Sequence, residues 1–355
     1  MASLTQTAYV TRRTLKFGFL GLIAFFILKF AFQAGWAIYR QYFPPPPPPP
    51  NVRFGKIPQL VFPTQESLVQ LNFKMETPTG SFPALPSVSQ VYFLPRYTST
   101  FFDFDHAKTQ AEKIGFRGQP QALDETHYRW TNNKVPETSV VIETQTGNFQ
   151  FRYDYTNDQE LLNNKNYLPD NQTALQEARN FLTANDLLKD DLATGSAEFI
   201  YLRSTPRGLQ SVASLSEADF VRVNLLRSDL DNLKLLPTQP EKSLVTFLFS
   251  GSRETQNSLV EIDFTYFPIE KQLFGTYPLI SGKQAWENLK SQKYYLANRG
   301  ENATDVTVRR IYLAYYDSPE RQNYLQPIYV FEGDRHFMAY LSALDPLWLE
   351  TPASK

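Results

Sequence analysis

An apolar segment near the N-terminus, residues 17–39, restricts the fold more than any other feature of the sequence. It reads FGFLGLIAFFILKFAFQAGWAIY and contains a single charge. As a helix it would be about 34 Å long at roughly 1.5 Å per residue, and the apolar interior of a bilayer is about 30 Å thick. The segment therefore predicts a transmembrane helix in contact with the lipid bilayer.

Basic residues on either side predict the orientation of this helix. Arg12, Arg13 and Lys16 precede it. Only Arg40 follows closely. Because positively charged flanks stay in the cytoplasm, residues 1–16 are predicted to form a cytoplasmic tail, and the C-terminal part is predicted to be extracytoplasmic at the cell membrane. The alternative is a cleaved signal peptide.

Lys29 lies near the middle of the predicted span, and Gln33 follows on the same helix face four residues later. Ionisable groups at that depth usually face protein or water instead of lipid. One hypothesis is that Lys29 and Gln33 contact a transmembrane helix of a partner protein. The other is a tilted helix whose lysine ammonium reaches the interface.

A proline run follows the apolar segment and is predicted to form a stiff stalk within residues 40–60. Seven prolines in the polyproline II conformation would span about 22 Å at roughly 3.1 Å per residue. The letters FPPPP also match a motif read by EVH1-type domains, but those readers are cytosolic and this segment is predicted to lie outside. We therefore interpret the run as a spacer. Its members are Pro44, Pro45, Pro46, Pro47, Pro48, Pro49 and Pro50.

Composition excludes several classes of function. The chain has no cysteine, which excludes disulfides, thiolate metal sites and a cysteine nucleophile. Residues 1–43 carry five basic and no acidic side chains, which leaves 30 basic and 36 acidic side chains in the remainder. An acidic remainder gives no reason to expect a nucleic-acid partner.

Helical and strand patterns recur along three segments after the stalk, at residues 61–160, 165–270 and 271–345, and residues 346–355 form a tail. Each segment reads as one amphipathic helix followed by about three antiparallel strands. A helix on a small antiparallel sheet is a stable two-layer unit. The predicted fold class is therefore α+β, with an N-terminal transmembrane helix and about three tandem modules.

Strict alternation of apolar residues marks strands with one buried face in the first two segments. The third segment instead begins with a capping box, in which Ser281 precedes Gln284 by three residues. The alternating residues are Phe149, Phe151, Tyr153 and Tyr155 in the first segment, and Val260, Ile262, Phe264 and Tyr266 in the second.

A pattern of helix and strand residues in the third segment is typical of one kind of module. It consists of a helix with an Ala-x-x-x-Leu core, a strand ending in two aromatics, a Pro-x-x-Val strand and a final strand at residues 337–341. The positions that carry it are Ala285, Leu289, Tyr315, Tyr316, Pro327 and Val330. This pattern resembles the PepSY-like modules of the YycH/YycI regulatory proteins, and the resemblance covers residues 275–345 well and residues 88–160 in outline.

The resemblance implies a non-enzymatic regulator. In that family a short cytoplasmic tail and one anchor helix precede an extracytoplasmic α+β region, and members modulate a membrane histidine kinase through protein–protein contacts. PepSY modules are also linked to restraint of envelope enzymes. The expected partner is therefore another membrane or envelope protein. The alternative function is a structural envelope protein that binds cell-wall polymer without a regulatory role.

No motif in the sequence indicates catalysis. The three histidines are His106, His127 and His336, and none forms a metal-binding pair of the H-E-x-x-H kind. The sequence contains no phosphate-binding glycine loop and no G-x-S-x-G elbow. We expect no catalytic residues, no metal site and no cofactor, and the sequence does not indicate a small-molecule ligand.

Overall fold

The structure is a computed structural model that describes residues 4–42, 49–65, 70–132, 137–158, 161, 167–252, 258–300 and 304–350. The chain divides into two compact units, Met1–Pro49 and Pro50–Lys355. We call the second one the folded unit.

The first unit contains α1 (Leu4–Tyr42), a continuous helix of 39 residues. Its stretch Arg12–Trp36 has a mean hydropathy of 2.0 and is long enough to cross a membrane. The predicted span at residues 17–39 lies within this helix. A long apolar helix near the N-terminus is thus confirmed, and such a helix fits either a membrane anchor or a signal sequence.

The folded unit combines helices with three sheets. Its described helices are α2 (Asp103–Ile114), α3 (Asn171–Ala184), α4 (Asp190–Thr194) and α5 (Gly282–Lys290). The strands are β1 (Asn72–Met75), β2 (Val88–Phe93), β3 (Gln121–Ala122), β4 (His127–Asn132), β5 (Thr138–Glu143), β6 (Phe149–Tyr153), β7 (Ala197–Thr205), β8 (Gly208–Val212), β9 (Phe220–Leu225), β10 (Leu235–Leu236), β11 (Val245–Ser250), β12 (Leu259–Phe264), β13 (Phe274–Pro278), β14 (Tyr295–Asn298), β15 (Asp305–Tyr316), β16 (Tyr324–Leu325), β17 (Pro327–Gly333) and β18 (Met338–Ser342).

Local sequence explains where the helices begin and end. The Ser281 hydroxyl accepts a hydrogen bond of 3.2 Å from the Gln284 N–H, which confirms the predicted cap of α5. Asp170 caps α3 in the same way, since its carboxylate accepts from the Thr173 N–H at 2.8 Å. Gly115 ends α2 with a φ of 108°, a left-handed conformation that favours glycine.

The largest sheet has nine strands in the order β3-β4-β5-β6-β12-β11-β9-β7-β8. Its pairs are antiparallel. Strands of the first and second predicted segments meet where Phe151 on β6 pairs with Ile262 on β12. Ala107 on α2 and Ala178 on α3 belong to the same buried cluster as these strands. One hydrophobic core therefore serves both segments.

A six-stranded sheet is formed mainly by the third predicted segment, in the order β1-β15-β17-β18-β14, with β10 also paired to β15. The β1 and β10 pairings are parallel and the others antiparallel. Side chains of β17 alternate between the two faces. Tyr329 and Phe331 share a buried cluster with α5, whereas Ile328 and Val330 share one with Leu60.

A small sheet of three strands, in the order β13-β2-β16, completes the described architecture. It brings together β13 and β16 from the third predicted segment and β2 from the first. The fold is thus α+β, with a long apolar N-terminal helix and several antiparallel sheets. The number of PepSY-like modules stays a prediction.

Candidate functional site

The candidate site is a groove with an extended segment, residues 59–62, along one wall. Leu60 points inward and is 6% exposed, whereas Val61 points outward and is 67% exposed. Phe62 again points inward and stacks on Tyr295 with ring centroids 5.1 Å apart. This alternation is that of a β-strand. Among the described residues, however, no strand pairs with this segment.

The opposite wall is the loop at residues 320–324, which precedes β16 and β17. Between the two walls lies a cavity of about 260 Å³, which Gln326 also lines. We call this cavity the Gln326 groove. A second cavity, of about 210 Å³, shares residues 321–323 with it and is also lined by Tyr97 and Phe267. The loop therefore separates two adjacent recesses.

Gln326 is the least satisfied polar group of the groove. It is 3% exposed, and its Nε2 atom donates to the Pro58 carbonyl oxygen at 3.0 Å. Its Oε1 atom has no hydrogen-bond partner among the described residues. A flipped amide would place this oxygen against the Pro58 carbonyl oxygen, so the Nε2 bond fixes the orientation. An unpaired buried acceptor costs about 1–3 kcal/mol, and because this atom has almost no exposed surface, a ligand in the groove does not reach it.

Arg321 fixes the loop wall to the nine-stranded sheet. Its guanidinium donates to the Glu143 carboxylate and, at 2.5 Å, to the Gln145 side-chain oxygen. It also lies over the Tyr97 ring at 5.3 Å. Because Glu143 already neutralises the charge of Arg321, we interpret Arg321 as a residue that holds the groove in shape. Burial raises the pKa of Tyr97, although Arg321 opposes this, and the Tyr97 hydroxyl therefore stays protonated.

A buried ion cluster lies elsewhere in the folded unit, around Arg227. The Arg227 Nε atom donates to Asp191 at 2.6 Å, and its Nη1 atom donates to Asp317 at 3.3 Å and to the Phe267 carbonyl oxygen at 3.1 Å. The guanidinium also lies 4.6 Å from the centre of the Tyr266 ring. Asp191 belongs to α4 and Asp317 follows β15, so the cluster joins the two larger sheets.

Burial dominates the electrostatics of this cluster. It raises the pKa of Asp317, and the attraction of Arg227 only partly offsets that effect. Burial opposes the charged form of Arg227 as well, but Asp317 and Asp191 outweigh it, so the pKa of Arg227 is raised. Arg227 donates to both carboxylates, so each charged group of the cluster has a partner within it. We therefore interpret it as a structural connection.

The residues predicted to contact membrane partners lie in the first unit. Lys29 and Gln33 both belong to α1, in its apolar stretch. Of the predicted stalk, Pro49 and Pro50 are described, and the five prolines from Pro44 to Pro48 lie outside the described residues. The partner contact and the spacer both stay predictions.

The positions that match the PepSY-like pattern are part of the hydrophobic core. Ala285 and Leu289 are fully buried on α5. Tyr315 pairs with Pro327 across β15 and β17. Two further positions, Tyr316 and Val330, share a buried cluster on the other face of that sheet. They support the fold and do not line the Gln326 groove.

No sequence motif indicates the groove. Gln326 directly precedes the recognised Pro327, and Arg321 lies in a polar loop without a motif. In the described part of the chain, no three His, Asp or Glu side chains come together as a metal site would need. The burial of Gln326 depends on which distant segment packs against it, and the sequence around residue 326 does not specify that segment.

Comparison with known proteins gives distant structural matches. No protein-family profile and no curated protein sequence matches this chain. An uncharacterized protein from Eubacterium rectale ATCC 33656 aligns with a TM-score of 0.37 and 11% identity, over 73% of this chain and 84% of that one. The C-terminal domain of Bacillus megaterium YpeB aligns with a TM-score of 0.29 and 13% identity, over 70% and 94% of the two chains.

Proposed function

We propose that this chain is a membrane-anchored, extracytoplasmic binding protein that regulates a membrane sensor kinase or an envelope enzyme through protein–protein contacts. The long apolar helix α1 supports membrane attachment. The proposed contact site in the folded unit is the Gln326 groove, and its proposed ligand is an extended segment of the partner protein.

The observation that carries this proposal is the extended segment at residues 59–62, which exposes Val61 and pairs with no described strand. An extended peptide presents backbone N–H and C=O groups at the regular spacing that pairing with such a segment requires. The groove volume of about 260 Å³ is slightly below the roughly 300–1,000 Å³ usual for small-molecule sites. The unpaired extended segment at residues 59–62 offers a template for strand addition, which is a common mode of peptide recognition.

The anchor helix would supply a second contact with the same partner. Lys29 and Gln33 project from one face of α1, and an amide or ammonium group inside a bilayer is stabilised by a polar group on a neighbouring helix. Two contacts, one inside the membrane and one outside, would let the chain follow the state of a single-pass kinase or a membrane-bound enzyme.

Photo-crosslinking in native membranes tests the groove. A photoreactive p-benzoylphenylalanine replaces Val61 in the groove wall, and a matched control carries it at Leu347, which is 74% exposed and does not line the groove. We expect the Val61 position to crosslink an extended segment of a membrane or envelope protein, identified by mass spectrometry. The Leu347 position should not give this product.

The substitution Gln326→Met provides the second arm. Methionine fills a similar space but cannot donate to the Pro58 carbonyl oxygen, a bond that holds the wall segment in place, so the crosslink from Val61 should weaken while the folded unit stays intact by circular dichroism. Equal products from Val61 and Leu347, or a crosslink indifferent to Gln326→Met, would show that the groove is not the contact site. A crosslink from position 29 tests the membrane contact separately.

A further inference from the structure

One edge of the nine-stranded sheet is exposed in an unusual way. β8 ends this sheet, and no described strand pairs with its outer side. Its sequence, GLQSV, contains no charged residue and no proline. Soluble proteins normally protect such edges with charges, prolines, bulges or a covering segment, because a free edge pairs with other chains.

Other sheet edges in the folded unit are protected. β1 carries Lys74, whose ammonium pairs with Glu76 at 2.5 Å. β14 is covered by the side chain of Gln65, which donates to the Leu296 carbonyl oxygen at 2.7 Å and accepts from the Leu296 N–H at 2.9 Å. β3 at the far end of the nine-stranded sheet has only two residues. The edge of β8 has none of the protections found at these three edges.

The register shows which backbone groups of β8 are free. The Leu202 carbonyl oxygen accepts from the Asp219 N–H at 2.8 Å, so Leu202 on β7 bonds away from β8. Leu202 is opposite Ser211 in the ladder. Because bonding alternates along an antiparallel strand, Ser211 and Leu209 direct their N–H and C=O groups outward, whereas Gln210 bonds to β7.

We propose that β8 pairs with β8 of a second copy of this chain, antiparallel about a two-fold axis at Gln210. In this register Leu209 lies opposite Ser211 of the other copy, and Gly208 opposite Val212. Each pair joins a small residue with a larger one, and no like charges meet. A two-fold interface requires a patch that complements itself, and the uncharged edge meets this requirement.

The proposal is independent of the Gln326 groove and is testable by disulfide crosslinking. The chain has no cysteine, so any introduced cysteine is unique. Gln210 would form the central non-hydrogen-bonded pair, with a Cα–Cα distance of about 4.5 Å. Disulfides need a Cα–Cα distance of about 4.4–6.8 Å. Gln210→Cys in the full chain in native membranes should therefore give an oxidised dimer on non-reducing gels.

Ser211→Cys is the matched control. In this register, residue 211 of one copy lies two positions, about 7 Å along the strands, from residue 211 of the other copy. With the spacing between the strands added, the Cα–Cα distance is too long for a disulfide. Adding Ser211→Pro to Gln210→Cys should remove the dimer, because proline deletes an outward N–H without breaking the β7 ladder. Equal dimer from both cysteine positions, or none from Gln210→Cys, would overturn the proposal.

Discussion

Replacing Arg227 with methionine tests whether the buried ion cluster connects the two larger sheets. The Arg227 side chain is 7% exposed, and it is the cation shared by Asp191 and Asp317. Methionine preserves much of the apolar stem and removes the guanidinium. Both carboxylates then stay buried without their cation, although Asp191 keeps a hydrogen bond of 3.0 Å from the Tyr266 hydroxyl.

The expected loss is large. Removing one partner of a buried ion pair costs about 3–5 kcal/mol. Two carboxylates lose their partner here, but Asp317 can take up a proton, so we expect a loss of roughly 4 kcal/mol at neutral pH. For a unit of this size that corresponds to a decrease of about 10 °C in the unfolding midpoint. Urea and thermal unfolding of the full chain in mild detergent, followed by near-ultraviolet circular dichroism, measures both.

A triple variant separates the charge effect from packing. Arg227→Met combined with Asp191→Asn and Asp317→Asn leaves no uncompensated charge, so it should recover most of the lost stability, because neutral replacements of a buried ion cluster are often tolerated. A loss below about 1 kcal/mol for Arg227→Met alone, the usual value of an exposed pair, would refute the view that this cluster is desolvated.

Two further predictions concern pH and backbone contact. Burial raises the pKa of Asp317 in the folded state, so ionising this carboxyl costs stability once the pH exceeds its ordinary pKa of about 3.9. In urea titrations the wild-type protein should therefore lose stability relative to Asp317→Asn as the pH rises from 4 towards neutrality. A difference that does not change with pH would contradict this. A Cβ atom at Gly195 would lie 1.8 Å from the Leu226 carbonyl oxygen, so Gly195→Ala should destabilise the folded unit by about 3 kcal/mol or more in urea unfolding. The neighbouring Ser196 is exposed, so the control Ser196→Ala should have little effect in the same measurement.

The sequence predicted the elements of this fold better than their arrangement. The apolar helix, the cap at Ser281 and the alternating strands were all predictable, because each depends on residues that are close to one another in the sequence. Phe149 and Phe151 do lie buried on β6, and Val260 and Ile262 on β12, as the alternation required.

The arrangement depends on contacts between distant residues. Phe151 pairs with Ile262, more than a hundred positions later, and alternation defines the buried face of a strand without specifying its neighbour. Two segments that read as separate modules therefore share one sheet. β2 likewise pairs with β13 and β16 from the third segment, a partnership that its own sequence does not encode.

The candidate groove was unpredictable for a related reason. An isolated glutamine before a proline is consistent with an exposed loop, and a polar residue usually lies at the surface. Gln326 is instead buried, and its amide donates to the carbonyl oxygen of Pro58, 268 positions away in the sequence. The resemblance to a PepSY-like module identified core positions such as Ala285 and Val330, which form a scaffold and not a site.

The loop between β15 and β17 explains why the groove is suited to binding. Asp317 at its start is held by Arg227, Arg321 by Glu143, and the Asn323 carbonyl oxygen by the Leu94 N–H at 2.9 Å. At its end Gln326 is held by the bond from its Nε2 atom to Pro58 and by its backbone carbonyl oxygen, which accepts from the Tyr316 N–H at 3.2 Å. A loop fixed at these points needs little ordering when a ligand arrives, which lowers the entropic cost of binding. The Gln326 groove is therefore already formed before a partner segment binds.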